Sequence, residues 1–372
     1  MEIPPTSRAA VVTGFNEPLE VRELPIPEIE PGAVLVKIDA ATVCGSDLHI
    51  WTGALSAGGF RPINLPVVPG HEMAGVVVAT GGDVAYTAGG RVEVGDRMVY
   101  TQGRCGTCYH CTVAHQPSIC SNRRPIGDNC ETYPYIVGTY SEYGYAYATS
   151  GKIKIPNGVK SEWASAGTCA LRTVVHGFER LGAVEPWQTI VIQGSGPLGL
   201  FATALAATAG AQRVIVVGAP DARLELAKAW GATDVVSVSE LPEPGARVEQ
   251  VRELTGGHGA EIVMEWSGGR TAFSEGLGMV RRGGRYVVGG QVGPHTVDFS
   301  PSTIMKNHLN IIGSASADES HYWKALDFLS RTQDTFEWDR MMTGRFGLNR
   351  VTDAYEGMQN LTEIKPVIDP SL

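Results

Sequence analysis

The chain has 372 residues, 43% of them hydrophobic and 19% charged, with a formal net charge of −9. That length exceeds one ordinary core, so two domains are expected. No basic run is longer than two residues, which argues against a nucleic-acid partner, and no stretch approaches the roughly eighteen apolar residues of a membrane span.

The N-terminal MEIPPTSRAA lacks a basic segment followed by an apolar run. No signal peptide is visible, and a cytoplasmic protein with reduced cysteines is expected. From residue 8 to about 155 the texture is short β-rich runs, at 33–43, 73–80 and 96–101, broken by Pro-Gly at 31–32 and 69–70. From about 187 the texture changes: TIVIQ is a buried strand, and GSGPLGLFATALAATAG turns into an Ala-rich helix ending at Gly210. A strand at 213–217 and a helix at 221–231 follow, then strands at 261–267, 285–290 and 310–314 with a helix near 271–281. Strands alternating with crossover helices predict an α/β doubly wound parallel sheet. The tail after about 335 returns to shorter elements and is expected to rejoin the N-terminal β-rich domain.

Cys105, Cys108, Cys111 and Cys120 follow one another as C-x2-C-x2-C-x8-C. Four thiolates close a tetrahedral zinc site at about 2.3 Å, leaving no position for substrate, so this metal would be structural. Two disulfides would need an oxidising compartment. An iron–sulfur cluster uses four thiolates too, but the ferredoxin run continues x3-C-P, and here the fourth cysteine comes later.

Three further candidates lie apart from the quartet: Cys44 in VCGSDLH, His71 in PGHE and Cys169 in GTCALRT. Any one alone reads as a small buried residue. Together they match a catalytic zinc, with three protein ligands and a fourth position open. Cys130 is left over and reads as a loop bystander. Gly194, Gly196 and Gly199 form G-x-G-x-x-G between a strand and a helix, where backbone N–H groups can meet a pyrophosphate. The motif also occurs in methyltransferases; the strand that follows favours a dinucleotide.

C-G-S-D at 44–47, G-H-E at 70–72, the thiol quartet, Cys169 and G-S-G-P-L-G at 194–199, which includes Pro197 and Leu198, occur in one order along the chain. In that order and near those spacings the chain resembles the zinc-dependent medium-chain alcohol dehydrogenases over nearly its whole length. The resemblance implies a GroES-like catalytic domain with a structural zinc lobe at 1–160, a Rossmann NAD(P)-binding domain at 161–330, and a return to the catalytic domain at 331–372. It implies two zinc ions per chain, one catalytic on Cys44, His71 and Cys169, with Glu72 as an alternative ligand, and one structural on the quartet. Asp47 would orient the ligand histidine, Ser46 would receive the substrate proton, and His49 would pass it to solvent or stand as an ordinary surface histidine.

The implied reaction is reversible hydride transfer from an alcohol to NAD(P)+, giving a ketone or aldehyde. A secondary alcohol, cyclic ones included, is expected because Gly45 follows Cys44 in place of a larger basic residue. The acid that normally binds the adenosine ribose is replaced by Gly218, with Asp221 and Arg223 close by, and NAD is preferred over NADP. The family forms dimers and tetramers, so a homodimer or homotetramer is expected, acting on a small-molecule substrate.

The chain departs from the family pattern in the eight residues between Cys111 and Cys120, where seven are usual, and in the long aromatic span 123–140. Trp51, Leu55 and Phe60 follow the zinc loop and would line an apolar pocket or pack the core. The competing functions are a zinc-free NADPH reductase of an activated double bond, a methyltransferase, and a non-catalytic zinc- and nucleotide-binding redox sensor. None of these uses both cysteine sets and Ser46.

Overall fold

The computed structural model describes residues 3–57, 62–290 and 296–372. It divides into two compact units, Met1–Arg172 with Ser316–Leu372, and Thr173–Ala315. The seams therefore fall at 172/173 and 315/316, not at 160/161 and 330/331. The helix Ser161–Ala166 buries Trp163, Ala164 and Ala166 and packs on the strands Val34–Thr42 and Met73–Thr80. The helix Glu319–Arg331 packs against the turn Gly167–Leu171 and the strand Lys152–Lys154. Both segments are thus held by the β-rich unit.

In that unit a seven-stranded sheet runs Arg345–Phe346, Val367–Ile368, Val34–Thr42, Met73–Thr80, Arg97–Tyr100, Lys152–Lys154, with Tyr143–Ala146 also paired to Val34–Lys37. The pairings are antiparallel except that between the two C-terminal strands. The tail therefore completes the N-terminal sheet, with Val367 opposite Thr42. A second ribbon, Thr6–Val11 with Glu20–Pro25, covers a core of Val11, Leu24, Leu35, Val68, Ile136 and Tyr145. Cys130 is a member of this core, 3% exposed. It sits in a turn, as its sequence suggested, but its side chain is packed.

The other unit carries a six-stranded, wholly parallel sheet ordered Asp234–Ser237, Arg213–Gly218, Thr189–Gln193, Ala260–Glu265, Val280–Val288, Asn310–Gly313. In chain order this is 3-2-1-4-5-6, the doubly wound arrangement whose switch point lies between its first and fourth strands. The strands are apolar on both faces because helices cover both. The strand Asp234–Ser237 and the helix Pro244–Leu254 were not apparent from periodicity. That helix buries Arg247 beside Val251, so its inward face is not uniformly apolar; the guanidinium is satisfied by Glu275, with both pairs of atoms at 2.8 Å.

Candidate functional site

Three elements of the β-rich unit bring Cys44, His71 and Cys169 together. Cys44 ends the extended stretch after Val34–Thr42 and precedes the helix Gly45–Trp51. Asp47, on the first turn of that helix, accepts the Cys44 N–H at 3.0 Å and so closes the return arm of a capping box. His71 enters the strand Met73–Thr80 after Gly70, whose φ of +87° suits glycine. Cys169 lies on a single π-helical turn, Gly167–Leu171, a local widening frequent at functional sites. No helical period marks this turn in the sequence.

The two sulfurs lie 3.8 Å apart and His71 Nε2 lies 3.3 Å from Cys169 Sγ. Zinc–sulfur bonds of about 2.3 Å at tetrahedral angles would set two sulfurs ~3.8 Å apart, so the donor set fits that ion. Glu72 belongs to the same group, whose ligand atoms all lie within 4.8 Å of one another. Its carboxylate, however, is engaged: Lys365 Nζ sits 2.7 Å from Oε1 and 2.6 Å from Oε2, and the Thr42 hydroxyl also donates to it. Burial pushes the Glu72 carboxyl up to about 7, while Lys365 draws it back. Lys365 is far from Glu72 in sequence, and no local pattern announces it. Arg172 was likewise unforeseen; its Nη2 lies 3.8 Å from Cys169 Sγ.

Hydrogen bonds to Cys169, and then burial, hold the Cys44 thiol up at about 12, whereas Cys169 is lowered by its bond from Cys44. The Cys44 proton is thus held on its sulfur until a cation replaces it. His71 Nδ1 meets Asp47 Oδ1 at 2.9 Å, which fixes the ring and leaves Nε2 facing the sulfurs. Burial disfavours the charged ring, but Asp47 and Cys44 more than offset it and raise its pKa.

Ser46 and His49 are half-buried and one turn apart on the helix Gly45–Trp51. No hydrogen bond joins them among the described residues. Burial lowers the His49 pKa, against a smaller opposing effect of Asp47, so the ring is neutral at pH 7. Trp51 and Leu55 are core residues: the Trp51 ring packs 5.6 Å from Tyr355 and its N–H donates to the Glu17 carbonyl at 2.6 Å. Phe60 lies outside the described residues.

The quartet closes on itself. Sulfur separations are 3.6 Å for Cys108–Cys111, 3.9 Å for Cys108–Cys120 and 3.5 Å for Cys120–Cys105. These are far beyond the about 2.05 Å of a disulfide and suit a shared tetrahedral ion. The eight-residue link to Cys120 is taken up by a left-handed His115, φ +51°, and a 3-10 turn at Pro117–Ile119.

In the parallel-sheet unit, Gly194, at φ +110°, follows the strand Thr189–Gln193, and the helix Pro197–Thr208 begins at once. A Cβ on Gly199 would lie 1.8 Å from the Gly194 carbonyl oxygen, while one on Gly196 meets nothing within 4 Å. Gly199 therefore permits the tight turn, and Gly196, Pro197 and Leu198 leave backbone accessible for a phosphate at a helix N-terminus. Glu265, at the end of the fourth strand of the sheet, accepts the N–H groups of Ser267, Gly268 and Gly290 and steadies the loops at the switch point.

Gly218 ends the second strand, and a Cβ there would fall 2.4 Å from Ser195 Oγ. The place of the usual acid is thus taken by the Ser195 side chain. Asp221 accepts the Ser237 hydroxyl at 2.6 Å, and Arg223 is buried, its guanidinium pKa lowered by that burial.

Residues 30–157 match the alcohol dehydrogenase GroES-like domain family, and residues 197–331 match the zinc-binding dehydrogenase family. The chain is 32% identical to the 5-exo-hydroxycamphor dehydrogenase of Pseudomonas putida, over 98% of this chain and 99% of that one. The fold superposes on an alcohol dehydrogenase from Thermotoga maritima with a TM-score of 0.89 and 32% identity, covering 98% and 99% of the two chains. It also superposes on a zinc-binding dehydrogenase of Sinorhizobium meliloti bound to NADP, at TM-score 0.81 and 26% identity over 98% and 99%. The chain belongs to the zinc-binding medium-chain alcohol dehydrogenases, with a GroES-like domain and a Rossmann-like domain, and it is an oxidoreductase. No helix among the described residues is long and apolar enough to cross a membrane.

Proposed function

We propose that the protein oxidises a secondary alcohol, cyclic ones included, to a ketone with a nicotinamide cofactor, using Cys44, His71 and Cys169 to hold a catalytic zinc and the quartet to hold a structural one. The observation that carries the proposal is the set of two sulfurs and one imidazole nitrogen at 3.8 and 3.3 Å. When bound there, zinc would supply Lewis-acid stabilisation of negative charge on a substrate oxygen.

The chain's own residues do the rest. Asp47 holds the His71 tautomer. Lys365 and Thr42 keep the Glu72 carboxylate occupied, leaving three ligands and one open position. Ser46 takes the substrate proton, and the neutral His49, one turn along the same helix, carries it outward, with a water molecule or a small rotation closing the gap between them. The Gly194–Gly199 turn would hold the pyrophosphate of the dinucleotide.

Choice of substrate is supported by Gly45: a Cβ there meets nothing within 4 Å, so the space beside Cys44 is open. It is supported also by the likeness to a relative named for a hydroxylated camphor. NAD is favoured over NADP, because Arg223, five residues after Gly218, is buried and would have to leave the core to meet a 2′-phosphate. A homodimer or homotetramer in the cytoplasm is the expected working state.

The test is Cys44→Ser. Zinc analysis should fall from two ions per chain to one, with loss of turnover on a panel of primary, secondary and cyclic alcohols read by absorbance of reduced cofactor. Full turnover in that variant would refute the mechanism.

A further inference from the structure

We propose that Tyr140 is a positioning residue for the catalytic metal site, acting on His71 through Asp47. The inference rests on Cys44, His71 and Cys169 being the catalytic ligands. Asp47 is fully buried and accepts two hydrogen bonds on each oxygen. Oδ1 takes His71 Nδ1 at 2.9 Å and the Gly70 N–H at 3.3 Å; Oδ2 takes the Cys44 N–H at 3.0 Å and the Tyr140 hydroxyl at 2.8 Å. Two of these donors are backbone groups and one is the ligand itself. Tyr140 is the one side-chain donor that is not a ligand.

Its aim is built into the fold. The segment carrying Tyr140 is clamped to the segment carrying His71: the Thr139 N–H donates to the Gly70 carbonyl at 3.2 Å, the Tyr140 N–H to the Pro69 carbonyl at 3.3 Å, and the Thr139 hydroxyl to the Glu72 carbonyl at 3.1 Å. A Cβ on Gly70 would lie 2.7 Å from the Tyr140 ring, so the ring fills the space that this glycine leaves. Behind it stands the Tyr355 ring, 6.1 Å away and fully buried, which packs in turn on Trp51. So held, the hydroxyl donates to Asp47 Oδ2.

A carboxylate with both oxygens doubly bonded cannot rotate about its Cβ–Cγ axis without breaking several contacts. Oδ1 is thereby kept in line with His71 Nδ1, and Nε2 stays directed at the metal. Deleting the Tyr140 hydroxyl leaves Oδ2 with a single donor in a dry site, and the carboxylate gains freedom to turn. Loss of such an outer partner typically costs 10–100-fold in metal affinity or activity. Acting one step further from the metal than Asp47, Tyr140 should fall near the lower figure.

The variant Tyr140→Phe removes one oxygen and keeps the ring. We expect it to fold and keep both zinc ions, with a melting temperature lower by about 3–6 °C for a lost bond of about 1.5 kcal/mol. Zinc should pass from the three-ligand site to a colorimetric chelator about tenfold faster, while release from the quartet stays as in the parent. Turnover should fall about tenfold with KM for the dinucleotide unchanged. In an Asp47→Asn background the same substitution should add nothing, since the two act as one unit. Tyr100→Phe, which deletes a buried hydroxyl elsewhere in the same unit, should release zinc at the parental rate. Parental release and turnover in Tyr140→Phe, a full additive loss in the Asp47→Asn background, or an equal effect from Tyr100→Phe would each overturn the proposal. Retention of both zinc ions by Cys44→Ser would instead overturn the ligand assignment beneath it.

Discussion

Replacing Lys365 with methionine tests how the Glu72 carboxylate is held beside the cysteine–histidine set. The two side chains are 1% and 0% exposed, and the ammonium lies 2.6 to 2.7 Å from both carboxylate oxygens. Removing one partner of a buried pair costs about 3–5 kcal/mol, because the other charge is stranded. Here the lower end applies. Burial already pushes Glu72 up to about 7 against the pull of Lys365, so without that pull the carboxyl takes a proton near neutral pH and the stranded charge disappears. At roughly 2–4 °C per kcal/mol for a unit of this size, a loss of about 3 kcal/mol lowers the melting temperature by about 6–12 °C.

The sign of the pH dependence follows. An acid whose folded pKa is raised binds its proton more tightly when folded, so it favours the folded state below its unfolded value of 4.5 and loses that contribution as pH rises through the folded value. The deficit of Lys365→Met relative to the parent should therefore be largest above pH 7 and narrow towards pH 5. Calorimetric scans across that range measure it, and the double variant Lys365→Met/Glu72→Gln, which buries no charge, should recover much of the loss. A melting temperature within about 2 °C of the parent at pH 8 would refute the reasoning.

Gly218→Asp restores an acid at the end of the second strand of the parallel sheet but drives a Cβ to within 2.4 Å of Ser195 Oγ. Urea denaturation should show a cost of about 1–3 kcal/mol, relieved when Ser195→Gly is added. Arg247→Met strands Glu275, 6% exposed and hydrogen-bonded to that guanidinium at 2.8 Å through both oxygens. It should destabilise the parallel-sheet unit by about 3–5 kcal/mol, and an unchanged urea midpoint would contradict the packing described. Removing the zinc proposed for the quartet with a strong chelator should open the 105–120 segment to limited proteolysis, since of its residues Ser118 and Cys120 alone are buried. Unaltered cleavage after complete metal loss would show that the lobe stands without its ion.

Much of this protein was legible in one dimension. The cysteine spacing at 105–120, the Gly194–Gly199 turn after an apolar strand and the alternation of strands and helices beyond residue 187 are local patterns, because metal chelation, phosphate binding and β–α crossing each need particular residues a few positions apart. The identities of Cys44, His71 and Cys169 were legible as a set, through their resemblance to a family.

What tertiary structure alone decided is how that set is supported. Lys365 on Glu72 and Tyr140 on Asp47 are contacts between side chains that chain folding, not spacing, brings together, and a lysine or tyrosine in isolation carries no sign of its partner. The same holds for Gly218, whose glycine is set by the Ser195 side chain of another loop. The domain seams moved for a related reason: a boundary is where packing stops, and Ser161–Arg172 and Ser316–Arg331 pack on strands whose positions their own sequences do not encode.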